Sequence, residues 1–384
     1  MNRASPIAVA VVEPEAWPDE TASFSDRSLD GLLTWAWKLG ASRISLQTDR
    51  PVAIRLHGLV HKATRRPLSE SEVEGAANRL YGADGVARLK SGQDFDVSYE
   101  IQPDRRTRLR FRVNAVGVQS RGSGGVDIVL RPIPRLPPRL SEQRVESGIL
   151  TAYRPFDGMV LVGGRTGSGK STLIGGMIRE KLEDPSSHCD IVEGGAPIEF
   201  VYEDLDCPTA TIAQCEIPRD LPSFAAFIRN CMRKEPTDIV VAECRDGPTI
   251  TAAIQAAISG HVVTSTIHTN DCAATMQRIV SLCPIEERDA LTIAVAQSLR
   301  LVVNQRLVRS TDGKRTALRE FLCFDRKLRE DFLEAGPQRW PALARRALAD
   351  HGQSFETATH LALAEGRITD AVARAVLKDL GHVA

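Results

Sequence analysis

The 384-residue chain has no excess of charge: 49 Lys and Arg stand against 49 Asp and Glu, so no global field draws it to nucleic acid or anionic lipid. Any nucleic-acid role has to be argued from a local patch. Aromatic residues are only 5% of the chain, too few to lay out the stacking platforms on which single strands are held. The cysteines (Cys189, Cys207, Cys215, Cys231, Cys244, Cys272, Cys283 and Cys323) form no C-x-x-C pair and no metal-ligand spacing, and read as reduced thiols of a cytoplasmic protein. No apolar run approaches the roughly 20 residues that cross a bilayer. The apolar run at 7–12 is short, follows only Arg3, and leads into Glu13, Pro14 and Glu15, unlike a signal peptide. Membrane association is expected through partners alone.

What is present implies two or three domains. Residues 1–27, rich in Pro, Ser, Asp and Glu, are expected to be a loose extension. Leu29, Leu32, Leu33, Ala36 and Leu39 recur at helical spacing behind Ser28, with Gly40 as a stop, and Ser69 with Glu72 has capping-box spacing for a second helix to about Leu80. Strand patterns at 43–47, 52–56, 59–61, 94–100, 108–113 and 126–130 complete a small α+β domain over 28–131. Pro132, Pro134, Pro137 and Pro138 continue neither a helix nor a central strand, so 132–140 is expected to be a semi-rigid linker. From 141 to 330 strands alternate with helices, the pattern of a doubly wound α/β domain with a parallel-rich sheet. Residues 331–384 are helical in character, carry no motif, and are assigned to packing or assembly.

The chain is organised around residues 159–174, where an apolar strand feeds a glycine-rich turn that opens a helix. Gly164, Gly169, Lys170 and Ser171 fit the G-x-x-x-x-G-K-[ST] spacing of a P-loop. Its glycines let successive N–H groups turn inward around a polyphosphate at the positive end of a helix. Lys170 is then placed on the β and γ phosphates and the Ser171 hydroxyl on magnesium. Downstream, the apolar run Ile239, Val240, Val241, Ala242 ends in Glu243, which is expected to orient or deprotonate the attacking water at the C-terminal end of a parallel strand. Two histidines flank the next strand. His261 stands at its entrance, and His268, beside Thr269 and Asn270, past its end as a candidate γ-phosphate sensor. Neither has a Cys or carboxylate at metal-ligand spacing.

Taken in order, these motifs resemble those of the secretion and pilus-motor ATPases: the pilus-retraction ATPases and their type II and type IV secretion relatives. Residues 164–171 resemble Walker A, 196–200 (Ala-Pro-Ile-Glu-Phe) the Asp box, 243–246 an atypical Walker B, and 260–270 the His box, with N-terminal matches at 111–115 and 129–134. The stretches 196–202 and 297–308 are most similar to the DotB/TraJ-like branch, which serves type IVB (Dot/Icm-like) secretion and conjugation. The resemblance implies a RecA-like ATPase domain behind a PAS-like N-terminal domain, and a homohexamer at the cytoplasmic face of the inner membrane. It implies docking on secretion, conjugation or pilus proteins, and no direct use of nucleic acid. It implies ATP on Gly164, Arg165, Thr166, Gly167, Ser168, Gly169, Lys170, Ser171, Thr172 and His261, with magnesium on Ser171 and, partly through water, on Glu243. Catalytic roles then fall to Glu243, Lys170, Glu199 and His268, and by motif position to the arginines Arg112, Arg121 and Arg131.

One departure stands out. Where relatives carry an acid before Ala-Pro-Ile-Glu-Phe this chain has Gly195, so either Glu193 takes the role through a shifted loop or Glu199 and Glu243 act without it. The rival readings are a RecA-like motor on nucleic acid and a nucleotide-gated scaffold with little turnover.

Overall fold

A computed structural model describes residues 16–56, 59–105, 107–120 and 122–381. The chain divides into two units between Arg135 and Leu136.

In the first unit, α1 (Asp26–Lys38) precedes the strands β1 (Arg43–Gln47), β2 (Ala53–Leu56) and β3 (Leu59–Lys62). Then come α2 (Glu70–Tyr81), α3 (Gly85–Lys90), β4 (Phe95–Ile101), β5 (Leu109–Ser120) and β6 (Ser123–Ile133). The strands form one antiparallel sheet in the order β3-β2-β1-β6-β5-β4. Alternate residues of a strand share a face, so Ile44, Leu46, Phe111, Val113, Ile128 and Leu130 bury together against Leu29, Leu32 and Leu33 of α1 and Val73 and Ala77 of α2.

Three expectations need correction here. The described part of the N-terminal extension is not loose: Trp17 is buried and donates its N–H to the Ala63 carbonyl (2.8 Å), and the Glu20 carboxylate accepts from the N–H groups of Arg65 and Arg66 (both 3.0 Å). Helix α1 starts ahead of Ser28 because Ser25 supplies the N-cap, its side chain accepting from the Ser28 N–H, while Ser28 is buried in the first turn. Pro132 belongs to β6, paired with Phe111 of β5. The ladder from β1 to β6 stops at Leu130, so at Pro132 the strand has one neighbour and the missing N–H costs no bond on the open side.

The capping box at Ser69 forms, and Glu72 carries more than the cap. Its carboxylate accepts from the N–H groups of Ser69 (2.8 Å) and Phe24 (2.6 Å) and pairs with Arg66 (2.7 Å). The hydrogen bond from Arg66, helped by those backbone donors, holds the Glu72 carboxyl down to about 2. A folded pKa below the unfolded one stabilises the fold above the unfolded value and loses that contribution as pH falls through the folded value. Thermal melts of wild type and Glu72→Gln are therefore expected to differ by on the order of 2 kcal/mol at neutral pH and to converge between pH 4.5 and 2.

The second unit opens with α4 (Ser147–Ala152), β7 (Gly158–Gly163), α5 (Lys170–Glu183), β8 (Asp190–Gly195), β9 (Thr211–Glu216) and α6 (Phe224–Cys231). It continues through β10 (Asp238–Val241), α7 (Gly247–Ile258), β11 (Val262–Ile267), α8 (Cys272–Leu282), α9 (Arg288–Ser298), β12 (Leu299–Arg309) and β13 (Arg315–Cys323). The last elements are α10 (Arg326–Ala335), α11 (Trp340–His351), β14 (Gly352–Gln353), α12 (Phe355–Ala364) and α13 (Asp370–Asp379). The eight-stranded sheet runs β14-β13-β12-β7-β11-β10-β8-β9; β12 through β9 are parallel, and β13 and β14 add an antiparallel edge. Every residue of β7, β10 and β11 is buried, as expected of parallel strands covered on both faces.

The tail is not a separate body beginning at residue 331. Phe332, Trp340 and Ala344 lie in the same core as Met276 and Ile279 of α8, and β14 extends the sheet; α12 and α13 gather Phe355, Ala358, Ala362, Ile368 and Val376 around Leu318 of β13. Glu320 joins the two parts. Buried on β13, it accepts from the N–H of Cys272 (2.7 Å), at the start of α8, and of Phe355 (3.3 Å), at the start of α12.

Candidate nucleotide site

Strand β7 lies inside the sheet and ends at Gly163, and six residues later α5 begins at Lys170. The turn between them needs glycine for steric reasons. Gly164 and Gly169 have positive φ (148° and 86°); a Cβ would stand 2.3 Å from Ser168 Oγ at the first and 2.7 Å from Gln305 Nε2 at the second. As the N-cap of α5, Gly169 offers no side chain to the first-turn N–H groups, which leaves those donors for an anion. Lys170 is 8% exposed, and its ammonium donates to the loop carbonyls of Gly164 (2.9 Å) and Arg165 (3.2 Å). Burial pushes its pKa down, and the opposing pull comes from Glu243 and Glu199. The buried Ser168 hydroxyl has no hydrogen-bond partner. A hollow ringed by backbone donors, a buried ammonium held by its own loop and an unpaired hydroxyl fits a polyphosphate.

Glu243 lies two residues beyond the end of β10, not within the strand as the apolar run implied. Its position is fixed from both sides: Thr266 of β11 donates its hydroxyl to the Ala242 carbonyl (2.5 Å), and the Thr266 carbonyl accepts from the Cys244 N–H (3.0 Å). His268, just past the end of β11, sets its Nε2 3.4 Å from Glu243 Oε1. Arg165 donates to Asn270 (3.2 Å), tying the P-loop to the loop that carries His268. Thr166 and Gly167 are exposed on the turn, while Ser171 and Thr172 are half-buried in the first turn of α5.

His261 is not part of this constellation. It precedes Val262, which pairs with Gly158 at the start of β7, whereas the P-loop leaves from Gly163, opposite Ile267. At about 3.3 Å per residue the length of the strand separates His261 from the phosphate end. Its ring instead meets the Ala256 carbonyl (3.2 Å).

The glycine before the Asp box is required by its neighbours. A Cβ on Gly195 would stand 3.0 Å from both the backbone N and Cα of Ile198 and 2.7 Å from its side chain, so the acid of the relatives cannot be placed here without moving the chain. Nor does Glu193 replace it: Gln214 donates to its carboxylate (2.6 Å) and to the Phe200 carbonyl (2.7 Å), holding it on β8. The carboxylates whose charge reaches Lys170 are Glu243 and Glu199.

In the first unit, Arg112 of β5 and Arg131 of β6 are direct cross-strand partners. Arg112 donates through Nε to Asp96 (3.0 Å), and Arg131 is exposed. Arg121 lies outside the described residues.

Some residues of the site gave little sign in the sequence. The Asn304 amide accepts from the Thr269 hydroxyl (3.0 Å) and donates to that of Thr275 (2.9 Å); Gln305 donates to the Ser168 carbonyl (2.7 Å). The available signal was a polar dipeptide in the apolar run 301–308. A cavity of about 520 Å³ adjoins Gly169 and Thr172 and is lined also by Leu307, Ser310, Arg315 and Arg367.

A P-loop on an inner parallel strand, an acid beyond a neighbouring strand and a histidine beside that acid define a RecA-like P-loop nucleotide hydrolase. The chain belongs to the type II/IV secretion system protein family, whose model matches residues 19–360. It is 33% identical over 294 residues to the type IV pilus retraction ATPase PilT of Pseudomonas aeruginosa, covering 76% of this chain and 81% of that one. The structure of the Legionella pneumophila ATPase DotB is similar with a TM-score of 0.88 and 38% identity, over 95% of this chain and 99% of that one. The pilus retraction motor PilT with bound ADP is similar with a TM-score of 0.76 and 28% identity, over 90% and 95% of the two chains. The protein is an ATPase of this family, on the DotB-like side of it.

Proposed function

We propose that the protein is a homohexameric motor on the cytoplasmic face of the inner membrane. There it hydrolyses ATP to drive type IVB (Dot/Icm-like) secretion or the related conjugative transfer. The branch rests on the higher similarity to DotB than to PilT. Among the described residues no helix is long and apolar enough to cross a membrane, so docking on membrane-embedded partners is the route proposed.

The observation that carries the catalytic reading is Lys170 buried in its own loop, within the electrostatic reach of Glu243 and Glu199. On binding, the ammonium exchanges the carbonyls of Gly164 and Arg165 for the β and γ phosphate oxygens. Ribose and base extend past Gly169 and Thr172 into the adjoining cavity. Glu243 orients a water and takes its proton as the water oxygen bonds to the γ phosphorus and the bond to the β–γ bridging oxygen breaks. His268 reports on the γ position to the loop that carries it. Among the described residues no group of three His, Cys, Asp or Glu is arranged to hold a metal by itself. Magnesium bound with the nucleotide needs less from the protein, the Ser171 hydroxyl and Glu243 through water, and it supplies charge neutralisation between the phosphates. Arg112 and Arg131 of a neighbouring protomer complete the pocket.

The test is turnover of purified wild type against Lys170→Ala. The variant is expected at least about 100-fold slower, because Lys170 neutralises transferring phosphate oxygens. Equal rates overturn the proposal.

A further inference from the structure

Strand β12 is apolar and buried through Leu301, Val302 and Val303, and then places two polar residues in succession, Asn304 and Gln305, both fully sheltered from solvent. Consecutive strand residues face opposite sides of the sheet. Asn304 is engaged with Thr269 and Thr275, whereas Gln305 is engaged with the P-loop. Its Nε2 donates to the Ser168 carbonyl (2.7 Å), and its Oε1 accepts from Arg319 Nε (2.6 Å) on the paired strand β13. Arg319 is 2% exposed, and its other nitrogens donate to the carbonyls of Gln143 (3.1 Å) and Arg144 (3.2 Å) and to the Glu146 carboxylate (3.1 Å). Gln143 in turn donates to the carbonyls of Thr172 (3.0 Å), in the first turn of α5, and Pro138 (2.8 Å). A closed polar circuit therefore joins residues 138–146, which follow the Pro-rich segment, to both ends of the turn around Ser168 and Thr172.

We infer that Gln305 and Arg319 are positioning residues for the P-loop, holding the Ser168–Gly169 peptide in the orientation that receives a phosphate and registering it against residues 143–146. In a trans peptide the C=O and the following N–H point in opposite directions. With the Ser168 carbonyl held by Gln305, the Gly169 N–H is turned away from Gln305. The circuit is also tight sterically, since a Cβ on Gly164 would stand 2.6 Å from the Gln305 carbonyl and one on Gly169 2.7 Å from its Nε2. A sheet that needed only filling at this point could use a leucine or methionine. A buried amide and guanidinium are tolerated because each of these donors meets an acceptor.

This inference rests on the nucleotide reading of the P-loop, so the experiment measures both. ADP binding is followed by calorimetry, ATP turnover by steady-state kinetics, and folding by thermal melts without nucleotide. In Gln305→Leu the Ser168 carbonyl and Arg319 Nε lose their partner. ADP affinity is expected to fall, and KM for ATP to rise, by about tenfold or more, with kcat at saturation within about threefold of wild type. Arg319→Met is expected to follow Gln305→Leu, and Arg319→Lys, which keeps a donor within reach of Gln305, to recover most of the affinity. ADP affinity within about twofold of wild type in folded Gln305→Leu overturns the inference, as does equal loss in Arg319→Lys and Arg319→Met. Loss of folding in Gln305→Leu also overturns it, because the pair then serves the sheet and not the loop. If wild type takes up no ADP, the nucleotide reading falls first and this inference with it.

Discussion

Glu243→Gln is expected to lower kcat for ATP hydrolysis by about 10³-fold while leaving ADP and ATP affinity within about threefold of wild type. The amide keeps the shape of the side chain and its place beside His268, and removes only the capacity to accept a proton and the negative charge. The bonds of Thr266 to the residues on either side of Glu243 are to backbone, so the substitution leaves the loop in position. Lys170→Ala should behave differently, because it removes a charge that the bound phosphates meet directly and therefore weakens binding as well as turnover. Single-turnover kinetics and ADP calorimetry on the two variants separate the roles. A Glu243→Gln enzyme with more than about a tenth of wild-type kcat means that another group handles the water.

The second large effect concerns the first unit. Arg131→Ala and Arg112→Ala are each expected to reduce kcat by about 10³-fold with nucleotide binding largely retained, the signature of a charge that acts in the transition state. A purely architectural role makes a different forecast. Like charges directly opposite on neighbouring strands destabilise a sheet, and Arg112 faces Arg131 across β5 and β6. Arg131→Ala should therefore leave the melting temperature unchanged or slightly raised while activity collapses. Because the arginines are proposed to reach a neighbour's phosphates, subunits carrying Arg131→Ala mixed with subunits carrying Glu243→Gln should regain turnover at interfaces that combine an intact arginine with an intact glutamate. Mixtures no more active than the sum of their parts exclude delivery between protomers.

The parts of the site that could be read in the sequence are those whose geometry is local. From Gly164 to Thr172 the glycine spacing and the flanking strand and helix dictate the turn, so residue identity and position carry nearly the whole description. Glu243 and His268 were legible because each ends a recognisable strand. His261 was misplaced because the motif joins both ends of β11, and a strand carries them apart. The Asp-box glycine could be seen but not explained until Ile198 was found packed against it. Gln305 and Arg319 were illegible for a different reason: their partners Ser168 and Gln143 come from distant stretches of chain, and only the sheet order β13-β12-β7 brings them side by side. The same holds for Trp17, whose burial depends on Ala63, and for Pro132, whose place in a strand depends on where its neighbour stops.

Glu320 sets a limit on how the protein can be shortened. Its carboxylate is shared between the helix that follows the His268 loop and the first helix of the C-terminal pair. A truncation ending ahead of Phe355 therefore strips away one of the two donors, along with the cover over Leu318, and leaves a negative charge stranded inside the sheet. The dispensable-looking end of the polypeptide is a structural creditor of the catalytic half, and deletion phenotypes mapped to it report on ATPase integrity before they report on assembly.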